Sequence, residues 1–287
     1  MKKKFLYGLM ACLSLAFYAC GSDSDDKGAT PGNSRSTTPP SYQKELKADC
    51  AKKFISNAGN VEFFGNGKYS MPAGMKDKSL SARQMRMSPA APDTYATGTY
   101  DYADGVYSLD NGTTITVNGN SLLFDYGKDN VESYDVKAAS QVISTAQTIG
   151  MCRTWNIKKT RISVDYDGTN VAHEFSGFNP NEIAQYAIGK GVQMEDDYAN
   201  HKLQNVYFSP YGTYMLTYDD GTYEIGTWSI NGNTVKYTWD SEEYGFEFEN
   251  GDMYVEWEGQ TMVLTYTAKF TSGSTTYNAK MTWWVAI

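Results

Sequence analysis

The chain has 287 residues and a formal net charge of −8, with 23 Tyr, 12 Phe, 6 Trp and 26 Gly. The acidic balance and the lack of a Lys/Arg cluster after Lys4 argue against nucleic acid as a partner, because phosphate binding needs clustered cations. The many aromatic residues and glycines favour a mostly β protein, and the chain is long enough to bury a substantial core.

The first segment, residues 1–19, has the features of an export signal. Lysines at positions 2–4 precede an apolar run that ends at Ala19, and Cys20 follows directly. The run is shorter than the roughly 20 residues that span a bilayer, so we interpret it as a cleaved signal. The placement of the cysteine resembles a bacterial lipoprotein signal, which implies a lipidated Cys20 that anchors the mature protein to a membrane. An ordinary secretory signal with an incidental cysteine is the alternative.

Residues 20–41 form a predicted flexible tether. They are rich in Ser, Thr, Asp, Gly, Asn and Pro, and they carry too little apolar surface to order themselves. The acidic stretch from Gly21 to Asp26 resembles the export tag of Bacteroidetes surface lipoproteins. That resemblance implies an outer-membrane protein exposed at the cell surface, and a solvated linker is the alternative.

The next segment, residues 42–149, is predicted to be a smaller β-hairpin unit with short helices. Helical spacing of apolar residues predicts helices over Tyr42–Asn57 and from Val136 to Ile149. Between them, the alternation from Thr94 to Gly127 predicts four strands, because its Asp-Gly and Asn-Gly pairs are strong signals for tight hairpin turns. We interpret the second helix as a divider between this unit and a main barrel.

The last segment, residues 150–287, is predicted to be the main β domain. Met151 to Tyr166 predicts a long strand with a bulge near Lys159, where the apolar phase changes. Asn179 to Glu182 predicts a helix start, with an N-cap followed by Pro. About eight strands follow from Lys202 to Ile287, and their short turns favour a closed up-and-down antiparallel barrel, because closure removes exposed edges.

Two stretches of the chain echo each other. The run from Asp104 to Leu109 parallels that from Asp220 to Ile225, and Val117 to Leu122 parallels Ile230 to Val235. The spacing between the two elements differs between the copies. The echo is therefore either a duplicated β unit or a second use of the same favourable turns.

The C-terminal segment resembles the lipocalin-like domains of Bacteroidetes lipoproteins. Gly150 to Trp155 lies at the start of the first strand, and a Trp shortly after a Gly is the lipocalin hallmark whose ring closes one end of the barrel. The run from Gly226 to Asn233 resembles the mid-barrel hairpin of the same group. The likeness covers residues 150–287 and implies a lipocalin-like barrel, with a generic barrel or a sandwich as alternatives.

An eight-stranded barrel is either filled by its own side chains or holds one small ligand. The candidate lining is aromatic, and such a lining suits a small hydrophobic or amphipathic ligand. The candidate ligand-binding residues are Trp155, Tyr237, Trp239, Trp257, Tyr266 and Trp283. A packed core, in a protein that serves as a structural accessory of the envelope, is an alternative interpretation of the same residues.

Trp284 follows Trp283 on the same predicted strand, so one of the two is expected to face outward. An outward Trp beside carboxylates is typical of a glycan-binding platform, which would make the protein a surface glycan-binding or adhesive module. The glutamates on neighbouring strands are Glu247, Glu249, Glu256 and Glu258. A solvated acidic face that keeps the barrel soluble is the alternative.

The sequence offers no catalytic or metal-binding constellation. His173 and His201 each stand alone, and there is no Gly-x-Ser-x-Gly motif. We therefore expect a non-enzymatic protein without cofactor or metal, whose partners are the membrane, through the lipid, and a small ligand or glycan. Cys50 and Cys152 are candidates for a disulfide, because the compartment outside the cytoplasm permits one.

Overall fold

The computed structural model describes the chain over seven ranges, which are 35–75, 95–143, 145–166, 169–189, 201–238, 253–272 and 275–287. Within them the protein is mostly β, as predicted, with two nine-stranded antiparallel sheets and two short α-helices. No helix in these ranges combines the length and the apolarity needed to cross a membrane. Cys20 and the signal segment lie outside the described residues.

The N-terminal sheet is a meander of nine short strands. They are β1 (Lys52–Ser56), β2 (Gly59–Phe63), β3 (Lys68–Pro72), β4 (Tyr95–Ala103), β5 (Val106–Leu109), β6 (Thr114–Asn118), β7 (Ser121–Asp125), β8 (Val131–Asp135) and β9 (Lys137–Ala138). One turn of 3-10 helix, Ala73–Met75, follows β3. The order across the sheet is β8-β7-β6-β5-β4-β3-β2-β1-β9, so this unit is larger than the predicted hairpin unit.

The N-terminal sheet is curled into a nearly closed barrel. β8 and β9 lie at opposite edges of the sheet, yet Val136 alone separates Asp135, the end of β8, from Lys137, the start of β9. The two edges must approach each other, because two residue steps span at most about 7 Å. Val136 is buried in the core inside this barrel, where Phe63 and Tyr107 stack at 3.7 Å between ring centroids.

The four strands predicted between Thr94 and Gly127 are confirmed as β4 to β7. The turn between β4 and β5 shows why the pattern was informative. Asp104 and Gly105 both have positive φ, at 50° and 83°. Two consecutive positive φ values define the type I′ turn, whose twist matches that of a hairpin, and Asp-Gly is one of the few pairs that adopts it readily.

The C-terminal sheet also has nine strands. They are β10 (Thr154–Tyr166), β11 (Thr169–Ser176), β12 (Leu203–Phe208), β13 (Thr213–Tyr218), β14 (Tyr223–Asn231), β15 (Thr234–Thr238), β16 (Met253–Glu258), β17 (Thr261–Ser272) and β18 (Thr275–Ala286). β10 pairs with β18 as well as with β12, so β10 and β12 to β18 form a closed ring of eight strands. β11 pairs with the part of β10 that β12 leaves uncovered. The predicted closed antiparallel barrel is confirmed.

The predicted bulge near Lys159 is confirmed. The register between β10 and β18 shifts between Ile157 and Lys159. Trp155 and Ile157 are buried before the shift, and Thr160 and Ile162 are buried after it. The bulge adds one residue to β10, so the inward-facing side chains change from odd-numbered to even-numbered positions and the row stays buried on both sides of the shift.

Helix α1 (Ala146–Met151) is shorter than predicted. Residues up to Ala138 belong to β8 and β9, so the predicted helix from Val136 to Ile149 was wrong over its first half. Thr145 starts α1 with a capping box, since its hydroxyl accepts from the Thr148 N–H at 3.2 Å and the Thr148 hydroxyl accepts from the Thr145 N–H at 3.0 Å.

Helix α2 (Pro180–Gly189) begins where the sequence predicted. The Asn179 side-chain oxygen accepts a hydrogen bond from the Asn181 backbone N–H at 3.0 Å, and Pro180 occupies the first helical position. Ile183 and Ala184 are buried, so one face of the helix packs against the C-terminal barrel.

The predicted helix over Tyr42–Asn57 was wrong, because this region forms a turn followed by β1. Leu46, which supplied part of the helical spacing, is fully exposed. Phe54 is buried because β1 pairs with β2 and with β9. Long-range strand pairing has overridden a local apolar spacing.

The sequence echo is a second use of turns and not a duplicated unit. In the N-terminal sheet, two strands, β5 and β6, separate the turn at Asp104-Gly105 from the turn at Gly119. In the C-terminal sheet, β14 alone separates the turn at Gly221 from the turn at Gly232. The matching turns therefore lie at the same end of one barrel and at opposite ends of the other.

The two barrels pack together through the outer side of β13. Every residue of this strand is buried, which a strand exposed on one face would not show. Tyr214 belongs to the C-terminal core, whereas Met215 packs with Phe64 and Tyr207 in a separate cluster between the units. The Tyr207 hydroxyl also accepts a hydrogen bond from the Gly65 N–H at 2.9 Å.

A buried ion pair lies in this contact. Glu62 of β2 is 3 % exposed, and its Oε2 lies 3.4 Å from Lys53 Nζ. Thr213 of the C-terminal barrel donates to Oε2 at 2.6 Å, and Ser209 donates to Oε1. Both carboxylate oxygens are therefore satisfied, partly by the other unit, which makes the burial of the charge tolerable.

Replacing Glu62 with Ala is expected to destabilise the protein by about 3–5 kcal/mol, because Lys53 would remain buried without a counterion. Equilibrium unfolding in urea measures the change. Asp101→Ala is the matched control, since Asp101 pairs with Lys47 on the surface and should contribute less than about 1 kcal/mol. Equal losses for the two variants would contradict the assigned role of Glu62.

Candidate functional site in the C-terminal barrel

Four of the six proposed lining residues are described with their side chains, and all four are buried in the C-terminal core. They are Trp155, Trp257, Tyr266 and Trp283. Tyr237 lies in β15, but its side chain is outside the described part of the structure, and Trp239 is outside it altogether. The described residues divide between one end of the barrel and its middle.

Trp155 and Trp257 close one end of the barrel. Their ring centroids are 5.7 Å apart, and Tyr42 lies against them at 5.4 Å and 6.0 Å. Trp155 Nε1 donates to the Met151 carbonyl at 2.9 Å, and Trp257 Nε1 donates to Gln147 Oε1 at 3.1 Å. Both indole N–H groups are satisfied within the protein, so the two rings form a plug, and beside them Gln147 Nε2 is buried without a partner in the described structure.

Arg153 covers the plug from outside. Its guanidinium carbon lies 4.4 Å from the Tyr42 ring centroid and 6.0 Å from that of Trp155, within the range of cation–π attraction. Arg153 also donates to the Gln43 carbonyl, and burial lowers the pKa of the guanidinium, an effect that Glu45 opposes. The sequence analysis missed this residue, although its position two before Trp155 was a signal. Tyr42 had no local signal.

Trp283 and Thr160 carry unpartnered polar atoms in the middle of the barrel. The two residues are directly opposite in the pairing of β10 with β18, and they are 7 % and 0 % exposed. Phe178 packs edge-on against the Trp283 ring at 5.2 Å. Trp283 Nε1 and Thr160 Oγ1 are buried and form no hydrogen bond within the described structure. Each such atom costs about 1–3 kcal/mol, which a bound molecule would recover by hydrogen bonding to it.

Glu224 lies on the opposite wall. Its strand, β14, is four strands from β18 in either direction around the eight-stranded ring. Tyr218 donates to Glu224 Oε1 at 3.0 Å, whereas Oε2 is buried and has no partner among the described residues. Burial raises the pKa of Glu224, and the hydrogen bond from Tyr218 opposes that shift. The sequence analysis missed Glu224, because a charged residue in an alternating strand is usually assigned to the solvent face.

The N-terminal barrel has a satisfied core by comparison. The Tyr100 hydroxyl donates to the Phe64 carbonyl at 2.8 Å, and the Tyr107 hydroxyl donates to the Cys50 carbonyl at 2.7 Å. Among the described residues of β1 to β9, none has a buried side-chain polar atom without a partner. Asn111 Nδ2, in the turn between β5 and β6, is the one such atom in the described N-terminal unit, so the C-terminal barrel is the better candidate for a binding site.

Trp284 faces outward and is half-buried, whereas Trp283 faces inward, as the sequence predicted. Trp284 Nε1 donates to Glu258 Oε2 at 3.1 Å. Lys159 Nζ lies 4.0 Å from the Trp284 ring centroid. One face of the ring is therefore already covered by a cation of the same protein.

The carboxylates of the predicted glycan platform are also occupied. Arg35 forms ion pairs with Glu258 at 2.6 Å and with Glu256 at 3.0 Å. Backbone hydrogen bonds of 2.9 Å and 2.8 Å between Ser36 and Trp257 hold this segment against β16. Two further members of the predicted platform, Glu247 and Glu249, lie outside the described residues.

The predicted disulfide between Cys50 and Cys152 is not formed, and both thiols are free. Cys50 packs against the N-terminal core, where its Sγ lies 3.6 Å from the Tyr100 hydroxyl. Cys152 packs against the C-terminal core, and burial raises the pKa of its thiol to about 12. The two side chains are separated because each is directed into the core of its own unit.

The two histidines occupy separate places on the surface of the C-terminal unit. His173 stacks on Tyr186 at 4.0 Å between ring centroids. His201 Nδ1 lies 3.4 Å from Asp220 and 4.0 Å from Asp219, and these three residues could hold a metal ion. Both aspartates are exposed, and no second feature of the described structure points to an ion, so we assign no metal to this group.

An open cleft of about 1040 Å³ lies between the two barrels, beside the plug. Residues 41–47 form one wall, and Arg153 and Thr154 contribute to another. Several of its charged groups already have partners, since Glu45 accepts from the Thr154 N–H at 2.7 Å and Lys47 pairs with Asp101 at 2.7 Å, while Arg153 Nε is buried without a partner in the described structure. The cleft therefore offers a ligand fewer unsatisfied groups than the barrel interior does.

Comparisons with known proteins leave the family open. No family model matches the chain, and no curated protein matches it. Among solved structures, the chain is similar to a protein of unknown function of the DUF3598 family from Nostoc punctiforme. The two are 9% identical, and the alignment covers 85% of this chain and 99% of the other, with a TM-score of 0.23. At that score the similarity carries no argument about fold or function.

Replacing Trp155 with Ala is expected to destabilise the protein by about 3–5 kcal/mol, because it removes the central ring of the plug and leaves a cavity. Trp284→Ala is the matched control on the outer face and should cost clearly less. Urea unfolding of both variants measures the difference. A loss below about 1 kcal/mol for Trp155→Ala would contradict its role in closing the barrel.

Proposed function

We propose that the protein is a non-enzymatic cell-envelope lipoprotein whose C-terminal barrel binds a small hydrophobic or amphipathic ligand. The observation that carries the proposal is the set of unpartnered polar atoms inside this barrel. They belong to Trp283, Thr160 and Glu224. Native proteins satisfy nearly all buried polar atoms, and three of the seven exceptions in the described structure face this one interior, which a ligand that completes them would explain.

The proposed ligand enters from the end opposite the plug. Trp155 and Trp257 obstruct one end, whereas β10 ends at Tyr166 and β18 begins at Thr275 at the other. The walls between these ends are largely apolar and include Ile162. An apolar cavity with a few polar groups is the usual form of a small-molecule site. The proposal includes no catalytic step, because the sequence offers no nucleophile–base pair or metal motif.

The glycan-binding alternative has less support. Trp284 is covered on one face by Lys159, and Glu256 and Glu258 are paired with Arg35. A glycan would have to displace these ion pairs before it could contact the aromatic ring. A filled barrel, with a structural role in the envelope, remains an outcome that the following experiment separates from ligand binding.

The mature protein is expected to bind the apolar fluorophore N-phenyl-1-naphthylamine inside the barrel, with decanol as a competitor. Trp283→Phe keeps an aromatic ring at this position but removes the indole N–H. Decanol should then compete up to about tenfold more weakly, which corresponds to the loss of one hydrogen bond. Trp284→Phe is the matched control and should leave competition unchanged. A folded protein that binds neither molecule would contradict the proposal and favour the filled barrel.

The lipoprotein part of the proposal rests on Cys20 and the apolar run before it. In a bacterium with a lipoprotein pathway, the full chain is expected to fractionate with the membrane and to carry a lipid on its mature N-terminus, measured by mass spectrometry. Cys20→Ser should release the exported protein in soluble form. Identical fractionation of both forms, without added lipid mass, would exclude lipidation at this residue.

A further inference from the structure

We infer that the ligand of the C-terminal barrel carries a protonated amine and that Glu224 binds it. The inference rests on the proposed function and specifies the chemistry of the ligand at that site. It is carried by the direction of the Glu224 side chain, by its hydrogen bonds, and by the charges and rings around it.

The alternation of β14 directs Glu224 into the barrel. Tyr223 packs outside, in the cluster that contains Phe64 of the N-terminal unit. Trp228 packs in the C-terminal core and has the same parity along the strand as Glu224. Since successive side chains of a strand point to opposite faces, Glu224 faces the interior with Trp228. Its partner Tyr218 belongs to the same core.

One oxygen of Glu224 is satisfied and the other is not. Oε1 accepts from the Tyr218 hydroxyl at 3.0 Å, and Oε2 is buried with no partner in the described structure. Burial raises the pKa of Glu224, and a cationic ligand would favour the ionised form, in which the carboxylate acts only as an acceptor and its partner must present a donor. The free oxygen therefore selects for a group with N–H or O–H bonds.

The charge of Glu224 distinguishes an amine from a hydroxyl. Among the described residues, no Lys, Arg or His forms an ion pair with Glu224. Glu62, which is more fully buried than the half-buried Glu224, is paired with Lys53 and receives two hydroxyl hydrogen bonds. A buried carboxylate without a cation is costly, and a ligand ammonium would supply the missing counterion.

Aromatic rings beside Glu224 suit the same group. The Tyr214 ring lies across Gly226, the next inward-facing position of β14. A Cβ at Gly226 would come within 2.4 Å of Tyr214 Cζ, so the glycine permits this approach. Tyr214 interacts electrostatically with Glu224, and Tyr218 bonds to it directly. A carboxylate with aromatic rings nearby suits an alkylammonium ion, because such rings attract cations.

The test uses three probes that share a ten-carbon chain and differ in their head group, namely decylammonium, decanol and decanoate. Each competes with N-phenyl-1-naphthylamine for the mature protein at neutral pH and about 0.3 M salt, which screens nonspecific attraction to an acidic protein. Decylammonium is expected to compete at least about tenfold better than decanol, and decanoate worst, because only the first pairs with the carboxylate.

Glu224→Gln is expected to remove the preference for decylammonium and to leave competition by decanol within about twofold. Asp101→Asn is the matched control, since it removes the same charge from an exposed position on the other barrel and should change nothing. The ranking of the three probes on the unmodified protein needs no variant, so it tests the inference even if Glu224→Gln fails to fold.

The outcomes separate this inference from the proposed function. Decanol binding without a preference for decylammonium, or a preference that survives in folded Glu224→Gln, would overturn the inference and leave ligand binding intact. Failure of the fluorophore and of all three probes to bind would overturn the proposed function and this inference with it. A preference for decylammonium that is lost in Glu224→Gln and kept in Asp101→Asn would support the inference and the proposed function.

Discussion

The pairing of β10 with β18 is the contact on which the C-terminal half of the protein depends. It turns a meander into a closed ring, so β10 and β18 pair with each other and neither is left as an open edge, while β11 remains at the edge beside β10. The bulge between Ile157 and Lys159 lets one long strand serve this closure while its inward row stays buried. Closure also creates an interior with two ends, one of which is blocked by the plug around Trp155.

Two glutamates place carboxylate oxygens away from water, and the structure satisfies them to different degrees. Glu62 lies between the barrels, where Lys53, Ser209 and Thr213 satisfy it, so it joins two units that could otherwise separate. Glu224 lies inside one barrel, where Tyr218 is its single hydrogen-bond partner among the described residues. A carboxylate is costly to bury in either place. The contact between the units explains the first, and the proposed ligand would explain the second.

Much of the architecture could be predicted because local sequence patterns specify it. Asp104-Gly105 specifies a type I′ turn by itself, and Asn179-Pro180 specifies a helix start. The strand at Phe54 was mistaken for a helix because its burial depends on β2 and β9, which are distant in the chain. Local spacing carries no information about such partners.

The candidate site was predicted only in part for the same reason. The lipocalin resemblance implied that Trp155 closes one end, and strand alternation predicted that one of Trp283 and Trp284 faces inward. It gave no means to find Tyr42, which reaches the plug from outside the barrel strands. The inward direction of Glu224 becomes visible only once the faces of β14 are known.

The central claim is that the C-terminal barrel holds a ligand, whereas the N-terminal barrel is filled by its own side chains. A high-resolution crystal structure of the mature protein grown with decylammonium tests it most directly. The account predicts non-protein density inside the C-terminal barrel, within about 3 Å of Glu224 Oε2, with the chain directed toward the side of Trp283. An interior occupied entirely by protein side chains, with hydrogen bonds to these same atoms, would contradict it.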